Sequence, residues 1–150
     1  MILTGDEIEQ AWKAGTIGIE RFEPEHLSPN SYDLALGDRL RRYTGDVMDP
    51  DETNRFEEIR ISPDGYEMAA GEFLIAFTQE RITSPHFVPI LHSRSGAARM
   101  GLFAHVTGDL LQRGFAGHAM LQLFATLPIT IRAGARIAQI SFWVPTDELD

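Results

Sequence analysis

The sequence predicts an all-β domain of the sandwich or barrel-like jelly-roll kind, opened by a single helix. Three observations predict it: short runs rich in Ile, Val, Phe and Leu recur at near-regular spacing from residue 16 onward, Gly, Pro, Asn and Asp break them, and helical periodicity occurs only at the N-terminus. With 150 residues and neither an internal repeat nor a linker, the chain reads as one domain over 1–150. That length buries roughly two-thirds of the unfolded surface, enough for a core without staples.

The elements follow in order. Thr4 and Glu7 form an S/T-x-x-E capping box, Ile8, Ala11 and Trp12 share one helical face, and Gly15 stops the run, so a helix is expected over 5–14, covering one end of a sheet. Strands are expected at 16–19, 31–36, 39–43, 55–61, 72–77, 87–91, 102–107, 118–125, 129–131 and 136–144. A short helical turn is expected at 95–99. The strands at 87–91 and 137–143 are apolar on both faces, more than a lone sandwich covers, which predicts self-association.

Composition narrows the function. A net charge of −9, from 22 acidic and 13 basic residues, opposes the counterion release that drives nucleic-acid binding, so a nucleic-acid polymer is not an expected partner. The stretch 44–67, where Asp46, Asp49, Asp51, Glu52, Glu57, Glu58, Asp64 and Glu67 stand against Arg55 and Arg60, reads as a solvated loop and strand face. Without cysteine there is no thiolate zinc site, no disulfide framework and no cysteine-bearing deaminase motif. No H-E-x-x-H, P-loop or G-x-G-x-x-G pattern occurs. No apolar run approaches the ~18–20 residues that span a bilayer, and the N-terminus lacks a basic segment followed by an apolar one, so no membrane partner and a cytoplasmic location are expected.

The motifs carry a more specific signal. His92-Ser93-Arg94-Ser95-Gly96-Ala97-Ala98-Arg99-Met100-Gly101-Leu102 is followed by His105-Val106-Thr107, then by Gly114-Phe115-Ala116-Gly117 and the run 119–123. Upstream stand Pro29-Asn30-Ser31-Tyr32-Asp33-Leu34-Ala35-Leu36-Gly37 and Gly71-Glu72-Phe73-Leu74-Ile75-Ala76-Phe77-Thr78; downstream stands Gly134-Ala135-Arg136-Ile137-Ala138-Gln139. In this order the segments resemble the dCTP deaminase and dUTPase family. The Ser95-Gly96 step is closer to the R-S-G of dUTPases, and Ala70 replaces the family's proline.

The resemblance implies a distorted jelly roll, the dUTPase-like β-clip, with one N-terminal helix, assembled as a homotrimer with active sites at subunit interfaces. It implies a pyrimidine nucleotide as ligand. Arg94, Ser95, Gly96 and Arg99 would meet phosphate, with Arg99 the stronger candidate. The strand with His105, Val106 and Thr107 would read the base through its backbone, Phe115 would pack on sugar or base, and Gln139 would line the site. The local chemistry agrees, because a helical turn offers unpaired N–H groups and arginines add forked, permanent charge. For Arg94 a salt bridge at an interface or core edge is an equal alternative. No cofactor is expected, and Mg²⁺ only through bound nucleotide phosphates.

Three departures bear on activity. Gln122 stands where the deaminases carry the glutamate that shuttles protons during deamination; glutamine fills the volume and hydrogen-bonds but trades no proton at neutral pH. Gln112 stands at the family's aspartate, Arg113 at the following proline and Leu110 at an arginine. Asp109 is the candidate substitute carboxylate, although a turn role for Thr107-Gly108-Asp109 is the simpler reading. The sequence runs out in the acidic stretch 145–150, with no tail to fold over a triphosphate, so mono- and diphosphates are expected to bind as well as triphosphates. Three readings stand: a catalytically impaired nucleotide binder, a working deaminase or dUTPase that recruits Asp109 or His105, and a ligand-free trimeric scaffold. His118 is expected to be exposed.

Overall fold

The computed structural model describes residues 1–148. Thr4 caps α1 (Gly5–Lys13) as expected, its hydroxyl accepting from the Glu7 N–H while the Glu7 carboxylate accepts from the Thr4 N–H at 2.8 Å. Ile8 is fully buried, and Trp12 stacks on Phe22 at 4.1 Å, which in turn stacks on Tyr32 at 5.1 Å. The helix thus closes one end of the core through an aromatic ladder.

Among the described residues eleven strands follow: β1 (Gly18–Ile19), β2 (Leu27–Ser28), β3 (Ser31–Tyr43), β4 (Phe56–Arg60), β5 (Tyr66–Met68), β6 (Phe73–Ser84), β7 (Val88–Ser93), β8 (Leu102–Phe103), β9 (Phe115–Ala125), β10 (Ile129–Ile131) and β11 (Arg136–Trp143), with α2 (Ser95–Arg99) between β7 and β8. The main sheet runs β7-β11-β3-β6-β9-β8, with β1 on β6 and β2 and β4 on β3; β5 and β10 form a separate pair. All pairings are antiparallel. At the far edge the Leu91 N–H donates to the Asp109 carbonyl and the Leu111 N–H to the Pro89 carbonyl, so the segment before β9 covers the free edge of β7 and the sheet nearly closes. This is the jelly-roll-like, mostly β fold that the sequence predicts.

The differences from expectation have physical causes. The expected strands 31–36 and 39–43 are one strand, β3, whose pairing with β6 shifts register between Leu36 and Leu40. The strand expected at 72–77 runs on to Ser84 through a second shift between Phe77 and Arg81. There the Thr78 hydroxyl donates to the Glu80 carbonyl and accepts from the Ala119 N–H, standing in for ladder bonds that the bulge removes. The strand expected over 102–107 stops at Phe103, because the Ala104 N–H turns aside to the Ser93 hydroxyl. His105, Val106 and Thr107 therefore lie on a loop. β9 begins earlier than expected, at Phe115, and β2 and β5 are additional.

The acidic stretch is the solvated loop and strand face expected, with all eight of its Asp and Glu residues exposed. β4 lies on β3 so that Glu57 is opposite Arg42, and Glu57 and Glu58 pair with Arg42 and Arg39 across the strands. The surplus apolar surface lies elsewhere than expected. Leu91, Ala138, Ile140 and Phe142 are buried by the chain itself, whereas Phe56, Phe73, Met120 and Val106 are exposed at 47%, 38%, 46% and 53%. Phe56, Phe73 and Met120 lie on the outward face of β4, β3, β6 and β9, and Val106 on the loop beside it. Among the described residues no helix is long and apolar enough to cross a membrane.

Candidate functional site

Gln122 points outward from β9, on one rung with Ile75 of β6 and Arg41 of β3. It lines a cavity of about 450 Å³ with Phe73, Phe124, Val106 and Thr107. The loop rests on the Gln122 amide: the Val106 N–H points to Oε1 at 3.5 Å, at the outer limit of a hydrogen bond, and a Cβ added to Gly108 would lie 2.7 Å from Nε2. The Gln122 backbone N–H donates to the Ala104 carbonyl at 2.9 Å, which anchors the start of the same loop. Three of the residues expected at the site, Gln122, Val106 and Thr107, thus come together. Phe73 and Phe124, cross-strand partners, escaped the sequence reading; their outward alternation on neighbouring strands was the available signal.

The phosphate candidates do not line this cavity. Ser95 and Gly96 lie exposed at the start of α2 and Arg99 exposed at its end, with no carboxylate within ion-pair distance of Arg99 among the described residues. Arg94 is committed elsewhere: its Nε lies 3.1 Å from the carboxylate of Asp33, which also meets Arg136 at 3.5 Å. Asp33 is almost fully buried, so two arginines answer one carboxylate at the core edge. This is the salt-bridge alternative for Arg94.

The remaining candidates are placed as follows. Gln139 ties β3 to β7, its amide oxygen accepting from the Ser31 hydroxyl at 2.8 Å and its amide N–H donating to the Ser93 carbonyl at 3.2 Å. Phe115 packs against the core, opposite Ser84. Gln112 is exposed, its carbonyl accepting from the Phe115 N–H. Asp109 does not line the Gln122 cavity. His105 buries its Nδ1 with no hydrogen-bond partner among the described residues. His92, which the sequence reading did not weigh, sits 2.7 Å from the Ser141 hydroxyl, and burial holds its pKa below the ordinary value, aided by His105 and opposed by Asp109. His118 is exposed, its Nδ1 donating to the Thr78 carbonyl at 3.0 Å. Among the described residues no group of three or more His, Cys, Asp or Glu side chains could hold a metal ion.

Comparison with known proteins decides the family. The model of the dCTP deaminase-like family matches residues 2–144. The chain belongs to the dCTP deaminase-like family. A dUMP-forming dCTP deaminase of Clostridium beijerinckii is 35% identical over 142 residues, which are 95% of this chain and 82% of that protein. A dCTP deaminase of Rhodopirellula baltica is 36% identical over 143 residues, 95% of this chain and 72% of that protein. The fold is similar to that of 2'-deoxycytidine 5'-triphosphate deaminase from Agrobacterium tumefaciens, with a TM-score of 0.77 at 22% identity over 96% of this chain; the chain spans about half of that one, 48%. A dUTPase of Staphylococcus bacteriophage 80alpha gives a TM-score of 0.53 at 15% identity, covering 87% of this chain and 92% of that one.

Proposed function

We propose that this dCTP deaminase-like chain binds a pyrimidine deoxynucleotide in the cavity at Gln122 and has lost most deaminase turnover. One observation carries this: the position from which the relatives' resemblance expects a proton-shuttling glutamate is an amide, and the cavity it lines contains no carboxylate at all among its described residues. Hydrolytic deamination must move a proton from water toward the ring and the leaving ammonia, and a neutral amide has none to exchange. Recognition survives. The loop backbone at Val106 and Thr107 offers N–H and C=O groups to a base edge, Phe73 and Phe124 wall the cavity, and Arg99 has no carboxylate partner among the described residues.

Arg99 and Gln122 lie in different places on one copy, so a site that uses both is completed between copies. The homotrimer is therefore part of the proposal, with the Gln122 end of the outward sheet face, around the exposed Phe73, Val106 and Met120, as the surface buried. Mg²⁺ enters only with nucleotide phosphates, and the substrate class puts the work in the cytoplasm. A second reading has a specific observation behind it: identity of 35–37% over 95% of the chain to proteins named dUMP-forming dCTP deaminases favours a working deaminase. Conversion of dCTP to dUMP releases ammonia and pyrophosphate, so the two readings separate directly. The first expects saturable dCTP and dUMP binding by calorimetry with little ammonia release. Turnover on the order of 1 s⁻¹ or faster selects the second, and no pyrimidine nucleotide binding at millimolar ligand leaves the ligand-free scaffold.

A further inference from the structure

The largest cavity among those described lies at the other end of the same sheet face, about 700 Å³, lined by Arg21, Arg39, Arg41, Thr78, Gln79 and His118 over a floor of Gly37 and Phe77. Both bulges of the sheet converge on it. The register shift in β3 carries Gly37, Asp38 and Arg39 into the wall, and the shift in β6 carries Thr78 and Gln79. Bulges re-aim side chains beside functional sites more often than elsewhere. Gly37 is required by the approach of the strands, since an added Cβ would lie 2.8 Å from the Phe77 carbonyl oxygen.

The charge is concentrated against the trend of a chain with net charge −9. The two lining carboxylates are answered: Asp38 by Arg60 and Glu58 by Arg39, each at 3.7 Å. Arg21 and Arg41 have no carboxylate within ion-pair distance among the described residues, and the buried Glu80 feels Arg21 only from farther away. The Arg41 guanidinium is held between the rings of Phe56 and Phe77, at 4.6 and 4.9 Å from their centroids. This fixes its orientation. Its Nε is buried and has no hydrogen-bond partner among the described residues. Arg21 adopts φ 58°, a left-handed conformation that an arginine adopts at a cost and that often marks a functional position.

We infer that this cavity is a second site, for a polyphosphate anion, separate from the Gln122 cavity. Two forked cations without a carboxylate partner among the described residues, Arg21 and Arg41, the latter held in a fixed orientation, match phosphate oxygens better than a single carboxylate. The same chemistry comes from free pyrophosphate or from the tail of a nucleoside triphosphate.

The test uses the full chain carrying Arg99→Ala, so that the nucleotide site proposed above contributes no phosphate contact. Calorimetry with pyrophosphate is expected to show binding that Arg21→Gly and Arg41→Ala each weaken by roughly tenfold. Arg21→Gly removes the charge and relieves the backbone strain, so it separates loss of binding from loss of folding. A dCTP titration showing an event with the same arginine dependence identifies the nucleotide tail as the source; its absence, with pyrophosphate bound, identifies the free anion. Three results overturn the inference: no pyrophosphate heat at millimolar ligand, binding lost with Arg99→Ala yet untouched by Arg21→Gly, or Arg41→Ala breaking the assembly in light scattering while pyrophosphate affinity is unchanged. The last would assign Arg41 to contacts between copies.

Discussion

At the Gln122 end of the outward sheet face the strands pair rung for rung, with Phe73 opposite Phe124 and Ile75 opposite Gln122; at the Arg41 end two register shifts interrupt the ladder. The first end is an apolar cavity with one amide, the second a polar cavity in which Arg21, Arg39 and Arg41 stand beside Asp38 and Glu58. Regular alternation sends every second side chain outward, and the loop at Val106 and Thr107 closes the cavity beside them. A bulge breaks the alternation and brings polar residues that would be neighbours on opposite faces into one concavity. The two ends are joined by the rung Arg41, Ile75, Gln122, spanning about 10 Å at two strand spacings.

The largest expected effect is at the regular end. Gln122→Glu supplies a carboxylate at the position proposed for the proton shuttle, and ammonia release from dCTP is expected to rise by about 10²–10⁴-fold, further with Gln112→Asp. If the variant binds nucleotide but gains no activity, the proton shuttle has been assigned to the wrong residue. The next effect is on affinity: Arg99→Ala removes an exposed cation and should weaken a pyrimidine nucleotide by roughly 10–150-fold with the assembly intact. Unchanged affinity by calorimetry would remove α2 from the site.

How far the sequence was legible follows the same division. The capping box at Thr4, the strand at 129–131 and the meeting of Val106 and Thr107 with Gln122 were legible, because each rests on local pattern or on motif order. The bulged end was not. Thr78, Gln79 and Glu80 interrupt the apolar run that marks a strand, so β6 read as ending at Phe77, and nothing local reveals that Glu80 is buried under Ala35. The pairing of Arg94 with Asp33 joins residues far apart in sequence, so motif position alone left salt bridge and phosphate contact equal.

At the bulged end the expected effects are on stability. Gly37→Ala places a Cβ against the Phe77 backbone carbonyl, which cannot swing aside as a side chain would. A loss on the order of 1–3 kcal/mol is expected in urea unfolding, with weaker pyrophosphate binding as the strands part. An unchanged urea midpoint would mean that β3 and β6 approach less closely than their register indicates.

The smallest effect is a pH slope. Glu80 sits in the β6 bulge, 3% exposed, with both carboxylate oxygens 3.0 Å from the Ala35 N–H. Burial raises its pKa above the ordinary value of 4.5, against the lowering by that hydrogen bond and by His26 and Arg21. A raised carboxylate pKa means that the folded chain holds the proton more tightly than the unfolded chain. The contribution to stability is therefore fully present below the unfolded pKa and is lost as pH rises through the folded value. Glu80→Gln keeps an acceptor for Ala35 and removes the titration. The unfolding free energy of the unaltered chain minus that of the variant should accordingly fall as pH rises from about 4 and level off above the folded pKa. Parallel profiles across pH 4–8 would show that Glu80 is not desolvated in solution, and that the β6 bulge opens to water where the Gln122 end stays packed.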